Sequence, residues 1–332
     1  MIIKNIKPFV GIHCETTATG TLLNQLDIEL SEAMLFGLGE GLNFIFWNMK
    51  LMDFPFIGGR IKQLSLTRNL AKNLNLTFSV KETSSTKKAW SNAKELLDNN
   101  QAIGLQLDSY YLEYFGIKFH FAGHFAAMYG YDDEVAYIVD TKPNGSTVKT
   151  SLTSLELARN EKGPMSAKNL LYSLQKTNEG YDLRNAIIAA ILNNASEYLN
   201  PPIKNISYKG IHKTSTEIKK WFKKSNNIEY EFCTTFMLME KAGTGGAFFR
   251  NLYRDFLKEA YEVTGIESIH QAYIEFTNIA KLWTKVANLI DQAGKRNDEN
   301  SVNQAANILV ELSEKEFKVM KMLGEISHPI NK

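Results

Sequence analysis

Residues 123–140 read Gly-His-Phe-Ala-Ala-Met-Tyr-Gly-Tyr-Asp-Asp-Glu-Val-Ala-Tyr-Ile-Val-Asp. An apolar, aromatic run opens at His124 and closes at Tyr131, an acidic turn follows, and Val135 to Val139 forms a second run. Two such runs around a short polar turn predict an antiparallel hairpin. In a hairpin the start of one strand lies beside the end of the next, so His124 and Asp140 are expected to be neighbours. The carboxylate can then accept from one imidazole nitrogen and leave the other for a reacting group. His120 lies outside the strand, and no carboxylate is placed beside it by the same logic.

An imidazole held by a carboxylate is half of a nucleophilic site; the other half is a side chain it can deprotonate. The chain has two cysteines, Cys14 and Cys233. Cys233, in Tyr-Glu-Phe-Cys-Thr-Thr-Phe, reads as a small apolar residue of a helix. Cys14 stands in Gly-Ile-His-Cys-Glu-Thr-Thr-Ala-Thr-Gly-Thr-Leu-Leu, where the pattern predicts a helix over Glu15 to Leu26 that begins at Cys14. The free backbone N–H groups of a helix start stabilise a thiolate and also the oxyanion of a tetrahedral intermediate. Cys14 is therefore the candidate nucleophile, His124 the candidate base and Asp140 the candidate orienting group. His13 is too close to Cys14 in sequence to face it, and His212, His270 and His328 fall in the second half.

Outward from these residues, the first 150 positions mix periods. Helices are expected over Ile61 to Leu74 and Thr86 to Leu97, and strands at Phe44–Trp47, Thr77–Val80 and Ala102–Leu107. After Ser151 helical patterns dominate: Leu152–Arg159, Ala167–Lys176, Asp182–Leu199, Ser215–Lys223, Glu229–Lys241, Ala247–Val263, Ser268–Ala293 and Asn300–Leu323. The expected fold class is α+β, with a catalytic domain over 1–150 and an all-helical domain over 151–332.

Composition limits the function classes. The 332 residues suffice for two domains, and 44% hydrophobic, 22% charged content is that of a globular chain. A formal net charge of +2 argues against a general nucleic-acid binder. Two cysteines cannot build a disulfide scaffold or a cysteine-rich zinc site, and no metal site is expected. No apolar run approaches the roughly 20 residues of a membrane span, and the N-terminus lacks a signal h-region, so no membrane partner is expected and cytoplasmic residence is.

Four further residues are candidates for substrate binding. Glu32 could line an amine site. Asp108 and Tyr110 follow an expected buried strand, where pocket residues often sit. Arg250, on a helix after Gly243-Thr-Gly-Gly, could meet a phosphate; that loop lacks the Walker lysine.

The order of helix-borne cysteine, strand-borne histidine and carboxylate at the end of the next strand is the constellation of papain-like cysteine hydrolases and transferases. Gly11–Thr17, Leu30–Leu42 and Gly123–Asp140 resemble the N-terminal domain of butirosin biosynthesis protein H. Gly245–Leu257 resembles the helical domain that follows it in that family. The resemblance implies a papain-like core. It implies an N-acyltransferase of antibiotic biosynthesis that moves an acyl group from the phosphopantetheine thioester of an acyl carrier protein, or from CoA, to a small-molecule amine. By that resemblance Cys14 takes the acyl group as a thioester, His124 moves the protons and Asp140 orients His124. No tightly bound cofactor is implied beyond the phosphopantetheine of the donor. The alternative is a cysteine hydrolase (peptidase, amidase or thioesterase) with the same three residues, and a homodimer stays open. Related double-glycine leader peptidases carry a Gln six residues before the cysteine as oxyanion donor; here that position is Pro8, so the second donor is unassigned.

Overall fold

The computed structural model describes residues 1–327 apart from Leu51, Ile117 and Pro164; His328 lies outside the described residues. The chain runs α1 (Cys14–Gln25), α2 (Glu32–Leu38), β1 (Leu42–Trp47), β2 (Phe56–Arg60), α3 (Ser65–Asn73), β3 (Leu76–Lys81) and α4 (Thr86–Asp98). It continues through β4 (Ile103–Leu107), β5 (His124–Tyr131), β6 (Val135–Val139), β7 (Thr147–Ser151), α5 (Leu152–Asn160) and β8 (Leu171–Lys176). The remainder is helical: α6 (Leu183–Leu199), α7 (Ser207–Lys224), α8 (Ile228–Glu240), α9 (Arg250–Thr264), α10 (Glu267–Arg296) and α11 (Glu299–Gly324). The fold class is α+β with a C-terminal helical region. None of the described helices is long and apolar enough to cross a membrane.

Two compact units result, and neither is one continuous stretch. The first comprises Met1–Leu35 and Gln63–Tyr181, the second Phe36–Lys62 and Asp182–Lys332. The domain boundary expected at 150/151 therefore differs from the division of the structure. The chain after Ser151 still owes the first unit a helix and a strand, α5 and β8.

The first unit is built on a six-stranded antiparallel sheet in the order β3-β8-β4-β5-β6-β7. The β5–β6 hairpin has the expected bounds. β8 replaces the helix expected over Ala167–Lys176. A short apolar run does not distinguish strand from buried helix by period, and here two sheet edges decide: β8 pairs with both β3 and β4. Asn169, with φ 51°, turns the chain left-handed just before the strand, which a continuing helix forbids. Tyr172 sits opposite Gly104, and its ring occupies the space a Cβ there would need, 2.0 Å from its Cζ. Helix α1 packs against β4 and β5 and is buried on most sides, including Glu15, Thr16, Thr17 and Thr19, so it lacks the single apolar stripe of a surface helix.

The second unit joins the β1–β2 hairpin to helices α6–α11. Phe44 of β1 stacks on Trp283 of α10 at 5.6 Å and meets Phe248 edge-on at 6.0 Å. The helix expected from Ala247 starts at Arg250 instead. Ala247, Phe248 and Phe249 have φ of 47°, 53° and 71°, a left-handed turn whose cost is offset by burying both rings. Helix α2 and strand β2 carry no strong pattern. Gly37 lies inside α2 because a Cβ there would meet the Phe256 ring at 2.0 Å.

Candidate active site

His124 opens β5 and Asp140 directly follows β6, and the hairpin brings their side chains together: His124 Nε2 lies 2.7 Å from Asp140 Oδ2. Both are buried, at 5% and 0% exposure. The carboxylate is fully bonded. Tyr114 donates its hydroxyl to Oδ2 at 2.7 Å, and the Thr141 N–H and Asn144 Nδ2 donate to Oδ1 at 2.6 and 3.1 Å. The Phe115 ring stands edge-on to His124 at 5.0 Å and fixes its plane.

Electrostatics follow from this packing. Burial alone would lower the His124 pKa, but the adjoining Asp140 charge, their hydrogen bond and the nearby Cys14 side chain raise it from 6.5 to about 10. Burial would raise Asp140, yet the imidazolium and the donated hydrogen bonds hold it down at about 2. Burial and the Asp140 charge push the Tyr114 hydroxyl well above its ordinary range, so it remains a donor.

Cys14 is the first residue of α1 and is half-buried. Glu32 fixes the backbone leading into it. Its Oε1 accepts from the N–H groups of His13 and Ile12 at 2.8 and 3.0 Å and from Thr16 Oγ1 at 2.8 Å; its Oε2 accepts from Ile12 again at 3.0 Å. A carboxylate at a helix start is also favoured by the helix dipole. Gly11 is needed in this loop, since a Cβ would meet Thr17 Oγ1 at 2.4 Å and Glu32 Oε1 at 2.9 Å. Below Cys14, Glu15 Oε1 accepts from the Thr67 N–H and hydroxyl of α3 at 3.1 and 3.0 Å. Thr67 Oγ1 meets Thr19 Oγ1 at 2.9 Å, and Thr19 meets the Tyr172 hydroxyl at 3.0 Å. This buried chain ties α1 to α3 and β8.

The four residues expected to bind substrate fare differently. Glu32 is occupied by its own loop and acts on the position of Cys14. Asp108 is buried; its Oδ1 accepts from the Tyr110 and Phe121 N–H groups at 2.9 and 3.0 Å, and its Oδ2 faces His120 Nδ1 at 2.9 Å. His120 therefore does have a carboxylate partner, contrary to expectation, because the chain after β4 turns back beside the segment entering β5. Tyr110 is 39% exposed and stacks on His120 at 4.0 Å, so it alone of the four presents a free face. Arg250 is fully buried in the second unit. Its Nε and Nη2 each donate to Glu316 at 2.9 Å, its Nη1 donates to the Phe248 and Gly59 carbonyls, and it lies 4.6 Å over the Trp283 ring. It is a core cation with no phosphate to meet.

No metal site was expected. Asp108, His120 and Glu161 nonetheless bring one possible ligand atom each within 4.8 Å of one another. Their oxygens already accept hydrogen bonds from the chain: Glu161 takes the N–H groups of Lys162 and Gly163 and the Tyr111 hydroxyl.

Tyr114, Asn144 and the Glu15–Thr67–Thr19–Tyr172 chain lie outside the residues expected from the sequence. Asn144 had a signal, as the asparagine of a Pro-Asn-Gly turn four residues after Asp140. Tyr114 and Thr67 had none, because their contacts depend on where separate elements meet.

None of the curated proteins matches the chain. Residues 13–141, which contain Cys14, His124 and Asp140, match the family described as butirosin biosynthesis protein H, N-terminal. Residues 153–323 match a domain of unknown function, DUF4872. The chain thus belongs to the DUF4872 family and carries, ahead of that domain, the N-terminal domain of the butirosin biosynthesis protein H family.

Proposed function

We propose that this protein is an N-acyltransferase of specialised-metabolite biosynthesis, with a papain-like catalytic core that works through a thioester on Cys14. The observation that carries this reading is the buried His124–Asp140 pair with the side chain of Cys14, the first residue of a helix, near the ring. The family match to a butirosin biosynthesis protein supports the acyl-transfer class.

The chemistry follows from charge. The His124 imidazolium and the α1 N–H groups stabilise the Cys14 thiolate. The thiolate attacks the carbonyl carbon of an acyl thioester, whose donor is a phosphopantetheine arm on an acyl carrier protein or CoA. A tetrahedral oxyanion forms; it collapses as the donor C–S bond breaks, and the leaving thiolate takes the His124 proton. The products are the Cys14 acyl thioester and the free donor thiol. A small-molecule amine then attacks the thioester, neutral His124 takes the amine proton, and Cys14 leaves as thiolate. The net exchange is thioester plus amine to amide plus thiol. Asp140 stays ionised throughout and orients the ring.

The test incubates the protein with acyl thioesters in the presence and absence of amines and separates the products. Amide formed only with amine, and absent in a Cys14→Ala variant that retains its fold, is the expected result. Free acid formed at the same rate with and without amine would assign the site to a hydrolase. Full activity in the Cys14→Ala variant would overturn the mechanism.

A further inference from the structure

Gln63 opens the second segment of the first unit, two residues ahead of α3. Its amide nitrogen Nε2 is shielded from solvent and has no hydrogen-bond partner. A buried donor left unmade costs about 1–3 kcal/mol, so such a group needs a reason to persist.

Its position supplies one. A Cβ built on Gly123 would meet Gln63 Nε2 at 1.9 Å, and the Met165 methyl lies 2.9 Å from the same point. Gly123 immediately precedes His124, so the missing side chain is what lets the amide lie against the backbone that bears the base. On its other side, Gln63 leads into α3, whose Thr67 N–H is held by Glu15 at 3.1 Å, the residue after Cys14. The orphaned donor thus lies against the backbone that precedes His124, at the entry to the helix whose Thr67 bonds Glu15, the residue after Cys14. The Met165 side chain, unbranched and 45% exposed, lies beside the same glycine.

Resting on the acyl-transfer reading above, we propose that Gln63 is a catalytic residue whose Nε2–H donates to the carbonyl oxygen of the acyl group as that oxygen gains charge. It is the second oxyanion donor, beside the backbone N–H at the start of α1, and takes the role for which the position six before Cys14 offers only Pro8. As the thiolate attacks, the carbonyl π pair moves to oxygen, which accepts the Gln63 hydrogen bond with no proton transferred. The pair returns as the donor C–S bond breaks, and Gln63 remains neutral. An oxygen that is anionic only in the intermediate benefits more than the ground-state carbonyl, as catalysis requires.

The test uses the full chain and its Gln63→Ala and Gln63→Glu variants, with N-acetylcysteamine thioesters of straight-chain and aromatic acids as probes. Intact mass follows the rate of Cys14 acylation, and iodoacetamide alkylation of Cys14 is timed in parallel. Alkylation passes through no oxyanion and reads thiolate and fold alone. The expected result is acylation slowed by about 10²–10³-fold in both variants with alkylation unchanged. Acylation at the wild-type rate in Gln63→Ala overturns the proposal, and a parallel fall in alkylation also overturns it by assigning Gln63 a structural role. A wild-type chain that alkylates but is acylated by none of the thioesters removes the acyl-transfer reading itself, and this proposal with it.

Discussion

Asp140 is the residue on which the site's charge balance turns. It accepts four hydrogen bonds, one of them from His124, and so remains a carboxylate against full burial. An Asp140→Asn variant keeps the shape and removes the charge that holds His124 protonated. Acyl transfer is expected to fall by about 10²–10⁴-fold, measured as single-turnover acylation of Cys14. A loss under threefold would mean that Asp140 only closes the turn. Glu32 offers a separate contrast. Glu32→Ala leaves the Ile12 and His13 N–H groups without their acceptor, and should cost about 1.5–3 kcal/mol in urea unfolding while slowing Cys14 alkylation. A substrate-binding role would instead raise KM with stability unchanged. The pairing of His124 with Asp140 was legible from sequence because hairpin geometry is local. The partners of Glu32 and Asp108 were not, since nothing in either residue's surroundings says that its lone pairs will be filled by a loop.

Among the elements, α1 matters most, because it presents the sulfur. Its direction is fixed by buried polar contacts that the apolar pattern does not report: Glu15 to Thr67, Thr67 to Thr19, and Thr19 to Tyr172. Thr67→Val keeps volume and removes the hydroxyl at the centre of that chain. It should cost about 1–3 kcal/mol by chemical denaturation and slow Cys14 alkylation; a stability change within about 0.5 kcal/mol, the scatter of ordinary surface substitutions, would show that α1 is held by apolar packing alone. Elements with a strong local period were legible, and the β5 and β6 bounds match the expectation. Those set by partners were not. β8 is a strand because two sheet edges receive it, and α9 begins late because Phe248 and Phe249 bury their rings in left-handed backbone.

At the scale of the whole molecule, each unit conceals charge in its interior. In the second unit Glu316 takes Arg250 on both oxygens and also accepts from the Trp283 indole N–H at 2.6 Å and the Tyr198 hydroxyl. Removing one partner of such a cluster strands the other; Arg250→Met should therefore destabilise the protein by about 3–5 kcal/mol in thermal or urea unfolding. An unchanged midpoint would show that the cluster contributes nothing net. In the first unit the His124–Asp140 pair makes stability depend on pH at both ends. His124 is raised from 6.5 to about 10, so its contribution is complete below pH 6.5 and is lost as pH rises through about 10. Asp140 is lowered from 3.8 to about 2, so its contribution is complete above pH 3.8 and is lost as pH falls through about 2. Between pH 6.5 and about 10 the urea midpoint of the wild type should fall more steeply than that of His124→Gln; parallel curves would contradict the raised imidazole. The two-unit division itself was legible only in outline, because each unit borrows a segment that lies, in sequence, inside or beyond the other.

In the proposed reaction Cys14, and not the other thiol, carries the acyl group. Peptide mass mapping after incubation with an acyl thioester locates that group. The expected result is an acyl adduct on the peptide containing Cys14, discharged when amine is added and absent in His124→Gln. An adduct on Cys233, or none on Cys14 in a protein whose Cys14 alkylates freely, would contradict it.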